Sequence, residues 1–373
     1  MENNIYDPFG LVQNYRELAH GKARADAIRY AAEQADLNND IPYMIFFREE
    51  FCEESNWYAD NIDIFTVLPE LLALSDKYPD AEPVPFQYDD IMDNVLMYYG
   101  NMFLSSSEFY QIPLEECIKF SNDYKRRWMA AGHNANRPYR YMASFYRATG
   151  HTADAIKAFK NFKGLPLEPC ECPGCIANSE IYHYLFATGE KEKADKIAAK
   201  IENGTIKCRG AFDNSFSLLR LKSNYLDYYI AHGCYEKAAE CAAVLEHSQC
   251  NTKEFKPWAS IMCAYVYSKP GRAMRIYKKH CQEWEEERNP FTKFFEYKCA
   301  ACFFKGLQKA KDTVKIHFPA SFPLYNTDNI YKISALIEYY YKGAEDIAAK
   351  FDQRNGTDKF TNGLGITFKN AGN

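Results

Sequence analysis

Three stretches decide the fold: YMASFYRATGHTADAIKAF (141–159), IYHYLFATGEKEKADKIAA (181–199) and YLDYYIAHGCYEKAAECAA (225–243). They align without gaps on Gly150, Gly189 and Gly233, and each Gly is followed five residues later by Ala: Ala155, Ala194 and Ala238. A glycine at that place lets one helix end in a left-handed turn. The small alanine, early in the next helix, lets two antiparallel backbones approach closely. Four residues before each glycine stands a bulky side chain, Tyr146, Leu185 or Tyr229, placed to pack across the hairpin. Tyr182 and Leu226 fall where such a hairpin favours a small residue.

This pattern resembles the tetratricopeptide motif. In the first copy the resemblance runs through Tyr139, Met142, Ala143, Tyr146, Gly150, Ala155, Ile156 and Phe159, with Pro166 and Pro169 just beyond. The glycine anchors are 39 and 44 residues apart, longer than the ~34 of the standard repeat, so loops are inserted. The resemblance implies an all-α fold: an α-solenoid of tetratricopeptide-like antiparallel helix hairpins. It also implies a groove lined by the first helix of each hairpin. Carried over by register, the groove positions are Arg137, Arg140, Ser144 and Arg147, then Ser179, His183 and Phe186, then Arg220, Ser223 and Asp227. Arginine forks on such a wall suit capture of carboxylates; the alternative is a solvated face with arginine stems over aromatic rings.

Outward from this centre the signal weakens. Downstream, CAYVYSKPGRAMRIYKK, ACFFKGLQKAKD and ALIEYYYKGAEDIAAKF each read as helix, tight turn, helix. Upstream, LVQNYRELAHGKARADAIRYAAEQAD around Gly21 reads as a first hairpin, and YMIFFREEFCEESNWYAD with IFTVLPELLALSDKY as a second. The Pro-rich KYPDAEPVPFQYDD (77–90) is expected to be a loop. Period-2 alternation is nearly absent, so strands are not expected. The organisation read from the sequence is therefore acidic helical hairpins over 1–134, repeats with a cysteine cluster over 135–353, and a flexible tail over 354–373. That Gly/Asn-rich tail lacks an evident helical period; a minor alternative has it fold back into the groove as a self-ligand.

At 373 residues, with 47% hydrophobic and 16% aromatic content, the chain has the composition of a folded protein and not of a disordered one. No run approaches the ~18 apolar residues of a membrane span, and the N-terminus lacks a secretory pattern, so the expected location is cytoplasmic. Net charge is −5, yet residues 1–120 carry 23 acidic against 7 basic side chains and residues 121–373 carry 27 against 38. Attraction between the two parts is one reading; a basic surface for an acidic ligand is the other. The 29 tyrosines are read as packing groups with hydroxyls reaching outward. The acidic run 49–63 is read as a solvated helix face.

Of 13 cysteines, Cys117, Cys241, Cys263, Cys281, Cys299 and Cys302 sit singly on apolar stretches and read as small buried hydrophobes. One group is different. PLEPCECPGCIANSE holds Cys170, Cys172 and Cys175, and Cys208 follows after the next helix pair. Cys-x2-Cys across Pro173-Gly174 allows two thiolates from one turn, and a hairpin returns Cys208 to the same edge. A structural Zn2+ on three or four of these thiolates is the expected cofactor, with unligated thiols and disulfides as alternatives. His183, two helical turns in, is a poor fourth ligand. The combination resembles bacterial cytosolic helical-repeat proteins with a cysteine cluster between repeats.

The chain lacks a Walker loop, a Rossmann fingerprint, His-Glu-x-x-His and Gly-x-Ser-x-Gly, so no residue is singled out for catalysis. The acidic first third argues against nucleic acid there. The expected function is a peptide- or protein-binding scaffold. The alternatives are a peptide-sensing receptor or toxin-neutralising partner, and last an enzyme or enzyme subunit.

Overall fold

The structure, a computed structural model, describes residues 6–55, 61–82, 84–85, 91–168, 171–208, 214–248 and 257–371. The chain is almost wholly α-helical, with 17 α-helices among the described residues and a single two-stranded ribbon. It divides into two compact units between Tyr141 and Met142, seven residues beyond the boundary read from the sequence.

The first unit holds α1 (Pro8–Arg16), α2 (Lys22–Leu37), α3 (Ile41–Ser55), α4 (Ile64–Lys77), α5 (Ile91–Ser105) and α6 (Leu114–Ala130), then the start of α7 (Asn136–Thr149). The two hairpins expected upstream are α1–α2 and α3–α4. Helix α2 shows why: Ala25, Ile28, Ala31, Ala32 and Ala35 recur at helical period and bury one face against Phe46, Phe47 and Phe51 of α3. The acidic run is not simply solvated. Glu54 is 2% exposed and accepts hydrogen bonds from Gly21 N at 2.7 Å and His20 Nδ1 at 2.8 Å, with Arg24 Nε 3.1 Å away. A buried carboxylate is tolerated because two donors and the charge of Arg24 replace its water.

The second unit continues α7 and adds α8 (Thr152–Lys163), α9 (Pro173–His183), α10 (Lys191–Glu202), α11 (Asn214–Ala231), α12 (Tyr235–His247), α13 (Trp258–Ala264), α14 (Pro270–Glu286), α15 (Pro290–Gln308), α16 (Ile333–Asn355) and α17 (Lys359–Asn370). The three glycines that anchor the repeats all have positive φ, +90° at Gly150 and +70° at both Gly189 and Gly233. Ala155, Ala194 and Ala238 are each fully buried. The six singly placed cysteines are buried as well, none more than 7% exposed.

Four features depart from the sequence reading. Strands β1 (Thr313–Lys315) and β2 (Ile330–Lys332) pair antiparallel, Val314 opposite Tyr331; at three residues each they are too short to show a period. Gly306 and Gly343 are not turns but lie inside α15 and α16. A Cβ at Gly343 would come within 2.6 Å of the Tyr297 ring, so this glycine lets α16 sit tightly on α15. The third departure is the tail. Residues 359–370 form α17, with Phe360, Leu364 and Thr367 buried along one face; Asp352 caps its start by accepting from Phe360 N (2.9 Å) and Thr361 N (2.8 Å). Gly363 and Gly365 mask that period in the sequence.

The fourth is a five-residue π-helical turn, Tyr184–Thr188, between α9 and Gly189. Closing bonds reveal its effect. His151 N donates to Tyr146 O and Cys234 N to Tyr229 O, each spanning five residues, but Glu190 N donates to Tyr184 O, spanning six. One extra residue is wound in, and everything upstream of it in the second copy slips by one position. Ile181, fully buried, therefore takes the place equivalent to Ala143 and Leu226, and Tyr182 takes the place that gapless alignment gave to His183.

Candidate functional site

The thiol cluster is assembled from two chain segments of the second unit. Cys172 is the N-cap of α9 and Pro173 its first residue, where a fixed φ and a missing N–H cost nothing. Cys175 follows in the first helical turn, where the helix dipole favours anionic sulfur. After α10 the chain reverses at Gly204 (φ +73°). Asn203 Oδ1 accepts from Thr205 N at 3.0 Å, and Ile206 N donates back to Lys200 O at 2.9 Å. That reversal returns Cys208 to the start of α9. The sulfur atoms of Cys172, Cys175 and Cys208 lie within 4.8 Å of one another. Cys170 lies outside the described residues, and the described cysteines are free thiols.

Packing around the cluster is tight. Asn178, 1% exposed, donates from Nδ2 to Gly174 O and to Ser217 O, both at 3.0 Å, tying the starts of α9 and α11 together. A Cβ on Gly174 would overlap Ser217 Oγ and approach Cys208 Sγ to 2.9 Å. Burial pushes the Cys175 thiol up to about 12, opposed by the positive charge of Arg220; burial also raises Cys208. Thiols so placed stay protonated unless a cation takes the protons' place, and a divalent metal does that. Three soft donors at this separation fit a tetrahedral thiolate metal centre.

The sequence-derived groove residues separate into several places. In the first unit, Arg137 lies over Trp128 (4.6 Å) and Arg140 over Tyr141 (4.9 Å). Arg220 stacks beside Phe216 (5.4 Å), and its charge acts on Cys175, so it belongs to the thiol cluster. His183 is 1% exposed and stacks on Phe159 at 3.9 Å and 10°. Neither ring nitrogen has a hydrogen-bond partner, and burial with the nearby Arg147 holds its pKa down to about 4. It is a core group turned away from any ligand by the π turn.

Arg147 and Asp227 remain, and Tyr182 joins them. The Arg147 guanidinium lies 4.2 Å over the Tyr182 ring, and the charges of both Arg147 and Asp227 act on the Tyr182 hydroxyl. Asp227 accepts from Ser260 Oγ at 3.0 Å; burial raises its carboxyl to about 6, against the pull of Lys298. Phe186 (4.4 Å from Tyr182) and Tyr228 (6.0 Å from Phe186) extend the surface with aromatic rings. Sequence reading missed Tyr182, Lys298 and Lys359. Only the π turn reveals the first, and the last two lie on helices outside the clear repeats.

No protein-family model, curated protein or solved structure matches the chain. No helix among the described residues is long and apolar enough to cross a membrane.

Proposed function

We propose that the chain is a tetratricopeptide-like scaffold that binds a peptide or protein segment, with one inter-repeat joint held by a structural Zn2+. The observation that carries the binding reading is the meeting of Arg147, Tyr182 and Asp227. Three successive anchor helices supply them; all three are half-buried, and Arg147 and Asp227 do not pair with one another. Residues kept for packing alone would pair such charges or replace them with apolar groups. Aromatic rings beside forked donors suit an extended or helical segment, giving area from the rings and direction from the charges.

Cys172, Cys175 and Cys208 would hold the metal, with Cys170 the nearest further thiolate in sequence. A site closed by thiolates supplies folding energy and leaves no open position for substrate. Asn178 and Gly174 set the sulfur positions, and Arg220 offsets their charge.

A random-peptide display selection against the zinc-loaded full chain tests the binding reading. Enriched peptides should lose roughly 30-fold in affinity to Tyr182→Ala or Phe186→Ala, the scale of a buried aromatic anchor, while far-UV circular dichroism is unchanged. Peptides that bind both variants as tightly as the parent chain would show that the surface is not the site.

A further inference from the structure

We propose that Arg147, Lys298 and Lys359 form a binding site for a compact oxyanion, a phosphate ester or a small carboxylate, with the C-terminal helix supplying the third cation. The proposal rests on reading the Tyr182 surface as ligand-binding and names the chemistry that surface takes.

Arg147 is the starting point. Its guanidinium is permanently charged and carries five N–H donors. None of them has an acceptor among the described residues, and Nε is closed off from water. Arg147 is half-buried, and a guanidinium whose Nε has neither water nor an acceptor is unfavourable unless something offsets it. Tyr182 offers only its ring face, which satisfies no N–H.

The neighbouring groups add positive charge. Lys298 rests its ammonium 3.9 Å over the Phe295 ring and has no carboxylate at ion-pair distance among the described residues. Lys359, the first residue of α17, donates to Arg147 O and to Ala148 O (3.1 Å). Two of its three N–H groups are thereby used on the last carbonyls of α7, and one remains. Thr357 Oγ1 donates to Thr149 O at 3.1 Å, fixing the approach of α17 to the same helix end.

Carboxylates balance this only in part. Asp352 is spent on the α17 backbone. Asp227 is engaged by Ser260, and its carboxyl titrates near 6. Burial first, then the charges of Arg147 and Lys298, hold Lys359 down to about 7, with Asp352 opposing. An oxyanion placed between these cations would accept the unused N–H groups and remove the repulsion at once.

Isothermal titration of the zinc-loaded full chain with inorganic phosphate and, separately, succinate tests the site at pH 6.0 and 8.5 under constant ionic strength. Saturable one-to-one binding is expected for at least one of the two. The probe that binds identifies the source: phosphate points to a phosphate ester, succinate to a carboxylate. Arg147→Gln and Lys298→Gln should each weaken it at least about tenfold, and Lys157→Gln on the exposed face of α8 should leave it unchanged. Succinate binding should weaken toward pH 8.5, as Lys359 loses its proton and Asp227 is fully ionised; phosphate itself gains charge over this range, so the pH arm is read on succinate. If Arg147→Gln loses helicity, Lys298→Gln, whose ammonium makes no hydrogen bond, carries the test. No saturable binding of either probe, or undiminished binding by the folded variants, overturns the proposal. Tyr182-dependent peptides alongside absent oxyanion binding would sink this site and leave the binding surface standing; the reverse pattern would remove the peptide reading and keep the site.

Discussion

Removing the thiol cluster should cost the second unit stability by a predictable amount. The perturbation is Cys175→Ser with Cys208→Ser, which takes one sulfur from the start of α9 and one from the reversal after α10. A metal bridging these residues closes the 34-residue stretch from Cys175 to Cys208. Treated as a cross-link, that closure is worth about 4 kcal/mol through the unfolded chain. Helices α9 and α10 already pack as a hairpin, and Asn178 independently ties α9 to α11. Part of the constraint therefore survives, and about 2–4 kcal/mol is expected. For a unit of this size each kcal/mol shifts the melting temperature by ~2–4 °C, giving a fall of about 5–15 °C. The assay is paired: metal content by mass spectrometry of the purified chain, then thermal melting of parent, double variant and chelator-treated parent. The parent should carry about one zinc per chain, the double variant little, and chelation should bring the parent to the variant's melting temperature. A metal-free parent, or a chelated one that melts unchanged, would refute the staple.

Other consequences follow from single contacts. Gly174→Ala drives a methyl into Ser217 Oγ, and should lower both metal retention and stability, by about 1–3 kcal/mol in a denaturant melt. Gly343→Ala should destabilise by a similar ~1–3 kcal/mol although alanine is the better helix former by ~1 kcal/mol, because its methyl meets the Tyr297 ring; a stabilised variant would mean α16 does not sit that closely on α15. Truncation after Gly356 should lower the melting temperature and expose Phe351, since Phe360 and Leu364 leave the core at ~1.5–3 kcal/mol each; a flexible tail would be removed without effect. His183, held at about 4 against an unfolded value near 6.5, binds fewer protons folded than unfolded. Its contribution is intact above pH 6.5 and is lost as pH falls toward 4, by at most ~3 kcal/mol. His183→Phe, stacking equally on Phe159, should flatten that part of the stability–pH profile measured by urea denaturation.

The helix ends at Gly150, Gly189 and Gly233 were legible because their two signals are local and physically strict. A helix that ends left-handed favours glycine, and backbones that touch favour alanine; both patterns survive any change of surface. The Cys-x2-Cys turn was legible for the same reason. Other features were set by partners distant in sequence. Glu54 looks like one more exposed acid until Gly21, His20 and Arg24 come to it across a hairpin. Gly343 looks like a turn until Tyr297, from the preceding helix, occupies the space beside it. The C-terminal helix looked like a tail because Gly363 and Gly365 dilute a face that Phe360, Leu364 and Thr367 still define.

The π turn is the instructive case, since it changed the site and not merely an element. Its extra residue lies upstream of Gly189, so the Gly-to-Ala spacing that anchored the alignment is untouched and no gap is called for. The cost falls on every residue before it. Gapless register assigns the ligand face to His183 and the packing position to Tyr182; the extra residue gives the ligand face to Tyr182 and the packing position to Ile181. His183 then becomes a buried ring without hydrogen bonds, and Tyr182 becomes the platform on which Arg147 rests and which feels Asp227. Deleting Ala187 takes out the extra residue, and Tyr182 then stands six residues before the glycine as Ser144 does before Gly150, so five-residue closure should return with Tyr182 still under Arg147 and His183 still buried. The test is whether peptides selected on the parent keep Tyr182-dependent binding in the shortened chain while its helicity is unchanged. Loss of that binding by a folded shortened chain would mean that the extra residue is not what sets which side chain reaches the ligand.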